Sequence, residues 1–195
     1  MPKLIDHHKR EEELGEATWR VIMNDGIAGV SIRAVAAEAG VSTGSLRYSF
    51  PSKTELLVHA MSMVETRVRS RIAGHVEIRD TREMVLAMIL EFMPLDAERR
   101  AEMDVNVALI AQAGVDPHLA RVRDEAYAGL REGSRLMLCR LQNAGLFRPE
   151  LDLDVETTNL HALIDGLALH MLMRDDEAFN AQAVASIAAH LDSLA

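Results

Sequence analysis

SIRAVAAEAGVSTGSLRYSFPSK, residues 31–53, joins two short helical patterns through a glycine turn. Ser31 is placed to cap a first helix in which Ile32, Val35, Ala36 and Ala39 recur at helical spacing, leaving Arg33 and Glu38 toward water. Gly40 can end that helix in a left-handed conformation, Val41 can pin the turn, and Ser42 or Thr43 can cap a second helix. On that second helix Leu46 and Phe50 form an i, i+4 apolar pair, while Gly44, Ser45, Arg47 and Tyr48 point away from it. Two helices crossing through a short turn leave the second free to enter a major groove. Gly44 would permit close backbone approach there. Arg47 offers a fork for guanine or phosphate, and Tyr48 a ring and a hydroxyl. The same spacing also suits an ordinary helical hairpin.

The continuation favours DNA. Pro51 follows at once, Ser52 and Glu55 make a capping box, and Lys53 sits at the start of a third helix, where backbone amides and an ammonium suit a phosphate. The run TGSLRYSFPSKTELL, preceded by VAAEAGVS and by a helix ending at Asn24-Asp25-Gly26, is similar to the N-terminal domain of TetR/AcrR-type transcriptional regulators. The Leu46-Arg47 pair resembles the BetI-like subgroup. In that family the position of Arg47 is often tyrosine and that of Ser49 often histidine or tyrosine, so no base preference carries over. The resemblance implies DNA-facing roles for Ser42, Thr43, Ser45, Arg47, Tyr48 and Lys53. With Ser31, Arg33 and Gly44 they form the expected DNA-binding set.

A chain of 195 residues can build one sizeable core or a small domain joined to a larger one. Cys139 is its single cysteine, which fits a reducing, cytoplasmic setting, and no apolar run has the length of a membrane span. The net charge of −9 is unusual for a DNA-binding chain, but its distribution is uneven. Residues 1–53 carry seven Lys or Arg and seven Asp or Glu, so the whole excess falls on residues 54–195. A neutral head on an acidic body suggests a DNA-binding domain over 1–53 and a ligand-binding and dimerisation domain over 54–195.

The periodicity predicts an all-α fold of about nine helices, the first three forming the helix-turn-helix domain. Residues 1–10 read as a polar arm, and Glu11–Asn24 as a supporting helix ended by Gly26. Later helices are expected from Thr54 to Ile72 with Arg67, Arg69 and Arg71 wet, and from Asp80 to Pro94. Others cover 96–113 with Met103, Val107, Ile110 and Ala111 inward, and Pro117 to Asn143 with Leu136 inward. The last two are a helix capped by Asp154 and one starting at Asn180.

The sequence carries no G-x-S-x-G, H-E-x-x-H, C-x-x-C or phosphate-cradling glycine loop, so no enzyme, cofactor or metal site is expected. Adjacent His7 and His8 lack ligand spacing. Met84, Met88, Met93, Met103, Met137, Met171 and Met173 fall on apolar faces of the body, as core filling or as the lining of an adaptable cavity. In the resembled family the C-terminal helices enclose a ligand and shift the fourth helix. On that basis Met84, Met88, Phe92, Asn106, Ile110 and Tyr127 are the ligand-binding candidates, for a small, largely apolar molecule. Ala162, Gly166, Leu169 and Met173 line one side of the penultimate helix, and Val184, Ile187, Leu191 and Leu194 one side of the last. Both stripes are expected at a homodimer interface. The expected function is a homodimeric repressor released from a palindromic operator in double-stranded DNA by an inducer. The alternative is a helical sensor or interaction protein of the same fold without specific DNA binding.

Overall fold

A computed structural model of the chain describes residues 7–174 and 176–195. Residues 1–6 of the expected arm, and the side chains of His7 and His8, lie outside the described residues. Among the described residues the fold is all helical. It comprises α1 (His7–Gly29), α2 (Ile32–Glu38), α3 (Thr43–Ser49), α4 (Lys53–Gly74), α5 (Thr81–Leu90), α6 (Ala97–Ala113), α7 (Pro117–Asn143), α8 (Leu153–Arg174) and α9 (Glu177–Ser193). A 3-10 turn, His75–Glu77, follows α4. No described helix is long and apolar enough to cross a membrane.

Residues 7–10, expected in the arm, are helical, because α1 begins at His7. Gly26 ends the long helical run as expected, with only a short helical turn after the kink up to Gly29: its φ of 69° and ψ of 175° lie in a region essentially confined to glycine. Gly26→Ala is therefore expected to destabilise the protein by roughly 1–3 kcal/mol. Gly74→Ala, at a φ of −67° in open space, should be neutral or stabilising by about 0.4–1 kcal/mol. Urea unfolding of the two variants checks the contrast.

The chain divides into two compact units, Met1–Glu65 with Asp104–Val122, and Thr66–Met103 with Arg123–Ala195. In the first, α2 packs on α1 and α3. Leu14, Trp19, Val21, Ile22, Val35, Leu46, Phe50, Leu56 and Leu57 are buried there. The first turns of α4 and α7 are tied together. Thr54 Oγ1 donates to Asp116 Oδ2 at 3.1 Å, His118 Nδ1 lies 3.3 Å from Glu55 Oε1, and Asp116 caps α7 by accepting from the His118 amide at 2.9 Å. On α6 the buried apolar positions are Ala101, Val105, Leu109 and Ala113, whereas Ile110 and Ala111 are exposed. That helix is apolar over most of its circumference, so spacing did not fix its phase.

The core of the second unit is built from Met84, Val85, Met88, Ile89 and Met93 of α5 and its end, Met137, Leu138 and Leu141 of α7, and residues of α8 and α9. Leu138 takes the inward place expected for Leu136, which is exposed. Met173, expected on an apolar inner face, is 75% exposed. The cap of α8 is Asp152, accepting from the amides of Asp154 and Val155 at 2.8 and 3.1 Å, and α9 starts at Glu177 under Asp176. Both boundaries fall earlier than expected because an aspartate upstream captures the first amides. Arg71, expected in water, instead lies against two buried carboxylates, Glu91 and Glu102.

Candidate nucleic-acid interface

Local hydrogen bonding sets the geometry of residues 31–53. Ser31 is extended and its side chain accepts from the Ala34 amide at 3.1 Å. At the other end of α2 the Val41 amide donates to Ala36 O at 2.9 Å and the Gly40 amide to Ala37 O at 3.1 Å. These are the paired bonds of a Schellman motif, and they require Gly40 at its φ of 65°. Ser42, not Thr43, caps α3, accepting from the Ser45 amide at 3.1 Å. Glu55 donates its amide to Ser52 Oγ at 3.2 Å, which starts α4 at Lys53.

The two faces of α3 separate as its spacing requires. Leu46 and Phe50 are buried, and the Phe50 ring lies 4.9 Å from that of His59 on α4. Burial lowers the pKa of His59, against the raising influence of Glu11 and Glu16. A β-carbon at Gly15 of α1 would collide with the same imidazole, so the helices meet closely behind α3. On the other side Thr43, Gly44, Arg47 and Tyr48 are exposed and Ser45 is half-buried. Arg33 and Lys53 are also exposed, and Ser31 is half-buried with its oxygen occupied as a cap. Glu38, the carboxylate of α2, is paired with Arg20 at 2.5 Å, which reduces the local negative charge.

Arg10 is absent from the set read off the sequence. Its guanidinium donates from Nη2 to Ser45 Oγ, joining the first turns of α1 and α3. Nothing local signals this, since the two residues are 35 positions apart and meet only through packing. Arg10 also lines an open cavity of about 510 Å³ whose wall is of mixed charge, with Lys9 and Arg20 beside Glu12, Glu13 and Glu16.

The other candidates are dispersed. Met84 and Met88 are buried in the second unit's core, with Phe92 packed against it. Tyr127 is exposed, and its ring centroid lies 4.7 Å from that of buried His161, whose Nε2 is 3.2 Å from Asp165 Oδ2. Asn106 is half-buried and Ile110 exposed, both within the first unit. On α8, Ala162, Leu169 and Met173 are exposed and Gly166 half-buried, with open space where a β-carbon would stand. On α9, Val184 is half-buried, but Ile187, Leu191 and Leu194 pack inside their own unit. The outer side of α9 is instead formed by Ala178, Ala181, Ala185 and Ala189.

Residues 14–60 match the family described as bacterial regulatory proteins, tetR family, and residues 81–195 match the BetI-type transcriptional repressor, C-terminal. The HTH-type transcriptional regulator PksA of Bacillus subtilis (strain 168) is 41% identical over 175 residues, 89% of this chain and 83% of that protein. A putative transcriptional regulator from Saccharomonospora viridis, solved in complex with choline, has 26% identity and a TM-score of 0.78 over 95% of each chain. A TetR-family regulator from Cytophaga hutchinsonii has a TM-score of 0.83 over 98% of each chain at 18% identity, a likeness of fold.

Proposed function

The chain belongs to the tetR family of bacterial regulatory proteins, DNA-binding transcriptional regulators, and from that membership we propose that it is a homodimeric repressor of a palindromic operator. The observation that carries the proposal is the outward face of α3, where Arg47 and Tyr48 stand exposed while Leu46 and Phe50 anchor the helix from behind. Residues 1–53 act as the DNA-binding part and 54–195 as the ligand-binding and dimerisation part. Ser42, Thr43 and Gly44 bring the start of α3 to the duplex. Arg47 and Tyr48 reach base edges, and Arg33 and Lys53 meet phosphates.

Two copies pair through α8 and the outer side of α9. The exposed Ala162, Leu169 and Met173 on α8 support this pairing, because an apolar stripe left in water on one helix is what a two-fold partner would cover. The second part holds a small, largely apolar inducer near Met84, Met88, Phe92 and Tyr127, and the choline complex of the S. viridis relative supports a small organic ligand. α4 belongs in part to each compact unit, so its displacement would reach the helix-turn-helix. Release by a hundredfold requires about 2.7 kcal/mol of coupling, supplied by the ligand's different affinity for the two conformations.

Arg47 and Lys53 separate base reading from phosphate contact. Arg47→Ala is expected to relax preference at one operator position and weaken binding by roughly 1–3 kcal/mol. Lys53→Ala should weaken binding to all duplexes and flatten the salt dependence by about one counterion. Titrations against single-base operator variants at several salt concentrations check both. Equal, sequence-independent losses would remove Arg47 from base readout.

A further inference from the structure

Ser45 is held at both ends. It occupies the third position of α3, its amide donates to Ser42 Oγ at 3.1 Å, and its own Oγ accepts from Arg10 Nη2. Several other helical hydroxyls of this chain give their proton to the carbonyl four residues back: Thr18 to Leu14 at 2.9 Å, Ser134 to Leu130 at 2.9 Å, Thr157 to Leu153 at 2.7 Å. Ser45 has no such acceptor in its own helix, because residue 41 precedes the cap of α3.

A serine hydroxyl ordinarily rotates to suit and meets a donor or an acceptor alike. Arginine only donates, so its hydrogen bond fills one of the two lone pairs of Ser45 Oγ and turns the hydroxyl proton away from it. A base acceptor satisfies that proton, whereas a base donor can reach only the second lone pair and leaves the proton unpaired. We infer that Arg10 is a specificity-determining residue that biases Ser45 toward donating, so that Ser45 favours a base presenting an acceptor in the major groove. Guanine N7 and O6, adenine N7 and thymine O4 satisfy that hydroxyl, whereas cytosine presents its N4 amino donor. Arg10 acts through Ser45 as a positioning residue, and its remaining N–H groups lie free of this task for a phosphate.

The inference rests on the DNA-binding reading above, and the test separates the two. Duplexes selected by the wild-type protein from a randomised pool supply the operator, and single-base variants of it are titrated with the full chain. The position read by Ser45 is the one at which Ser45→Ala changes preference. There the wild type should disfavour cytosine by about three- to tenfold, the worth of one hydrogen bond. Arg10→Met should erase that discrimination, and Arg10→Lys, which keeps a donor-only group, should restore most of it. Arg10→Met combined with Ser45→Ala should lose no more discrimination than either change alone. A uniform loss of affinity in Arg10→Met with base preference intact would overturn the inference and leave Arg10 a phosphate contact. Failure of the wild type to select any duplex would overturn the DNA-binding reading itself, and this inference with it. Circular dichroism of each variant confirms that the helices are intact.

Discussion

Arg71→Met is expected to destabilise the protein by about 3–5 kcal/mol, the effect of stranding buried charges. The guanidinium grips Glu102 with both terminal nitrogens, Nη1 to Oε1 at 2.9 Å and Nη2 to Oε2 at 2.6 Å, and gives Nε to Glu91 Oε2 at 2.7 Å. Glu102 and Glu91 are only 4% and 8% exposed, so water cannot take over when the arginine is removed. Glu91 keeps His75 at 2.7 Å and Arg99 at 3.6 Å, but Glu102 loses the guanidinium that binds both of its oxygens. Burial pushes the Glu102 carboxyl above its ordinary range, more than Arg71 pulls it back. Burial also pushes Glu91 upward, but hydrogen bonds from His75 and Arg71 bring it below that range.

The two carboxylates therefore contribute with opposite signs in the wild type. The raised group adds stability below the ordinary carboxylate range that is lost as pH rises through its folded value. The depressed group adds stability above that range that is lost as pH falls through its folded value. Removing Arg71 takes a lowering influence from both, so both folded values move up and the variant gains on the wild type as pH falls. Urea unfolding at pH 8 and pH 5 should show a large deficit that shrinks in acid, and Glu102→Gln in the Arg71→Met background should recover part of it at pH 8. A deficit below 1 kcal/mol at both pH values would assign the network the weight of a surface ion pair.

Gly166→Arg should give monomers on sizing chromatography with helix content unchanged. A β-carbon at Gly166 meets nothing within 4 Å, so the folded protomer accommodates the substitution, while a charged side chain among Ala162, Leu169 and Met173 blocks a paired apolar face. Operator affinity should fall by roughly 10²- to 10⁴-fold, because two linked half-site contacts become two separate ones. The dimer should place its recognition helices about 34–36 Å apart or somewhat wider, to meet successive major grooves. A dimer that persists in Gly166→Arg would put the interface elsewhere.

The helix-turn-helix was legible because its geometry is written in local chemistry. Ser31, Gly40, Ser42 and Ser52 each act within a few residues of themselves, and hydrogen bonds join each to a neighbour in sequence. The second part depends on which apolar face meets which, and spacing alone does not decide that. Ile187 and Leu191 form a regular stripe on α9, but the stripe completes the protomer's own core, and an alanine face is left outside. On α6 the apolar residues surround the helix, so Ile110 and Leu109 are equivalent by spacing and opposite in burial. Arg71 and Arg10 were misread or missed for one reason: their partners are distant in sequence, and an arginine on a helix gives no sign of whether water or a carboxylate will meet it.

DNA reading by the outer face of α3 is tested most directly by selection of duplexes from a randomised pool with the wild-type chain and with Arg47→Ala. The wild type should enrich an inverted repeat and bind it at least about 10³-fold more tightly than a shuffled duplex at physiological salt. Arg47→Ala should keep the repeat but lose the preference at one position of each half-site. Enrichment of no sequence by the wild type, or equal affinity for the selected and the shuffled duplex, would contradict a specific operator-binding role for this chain.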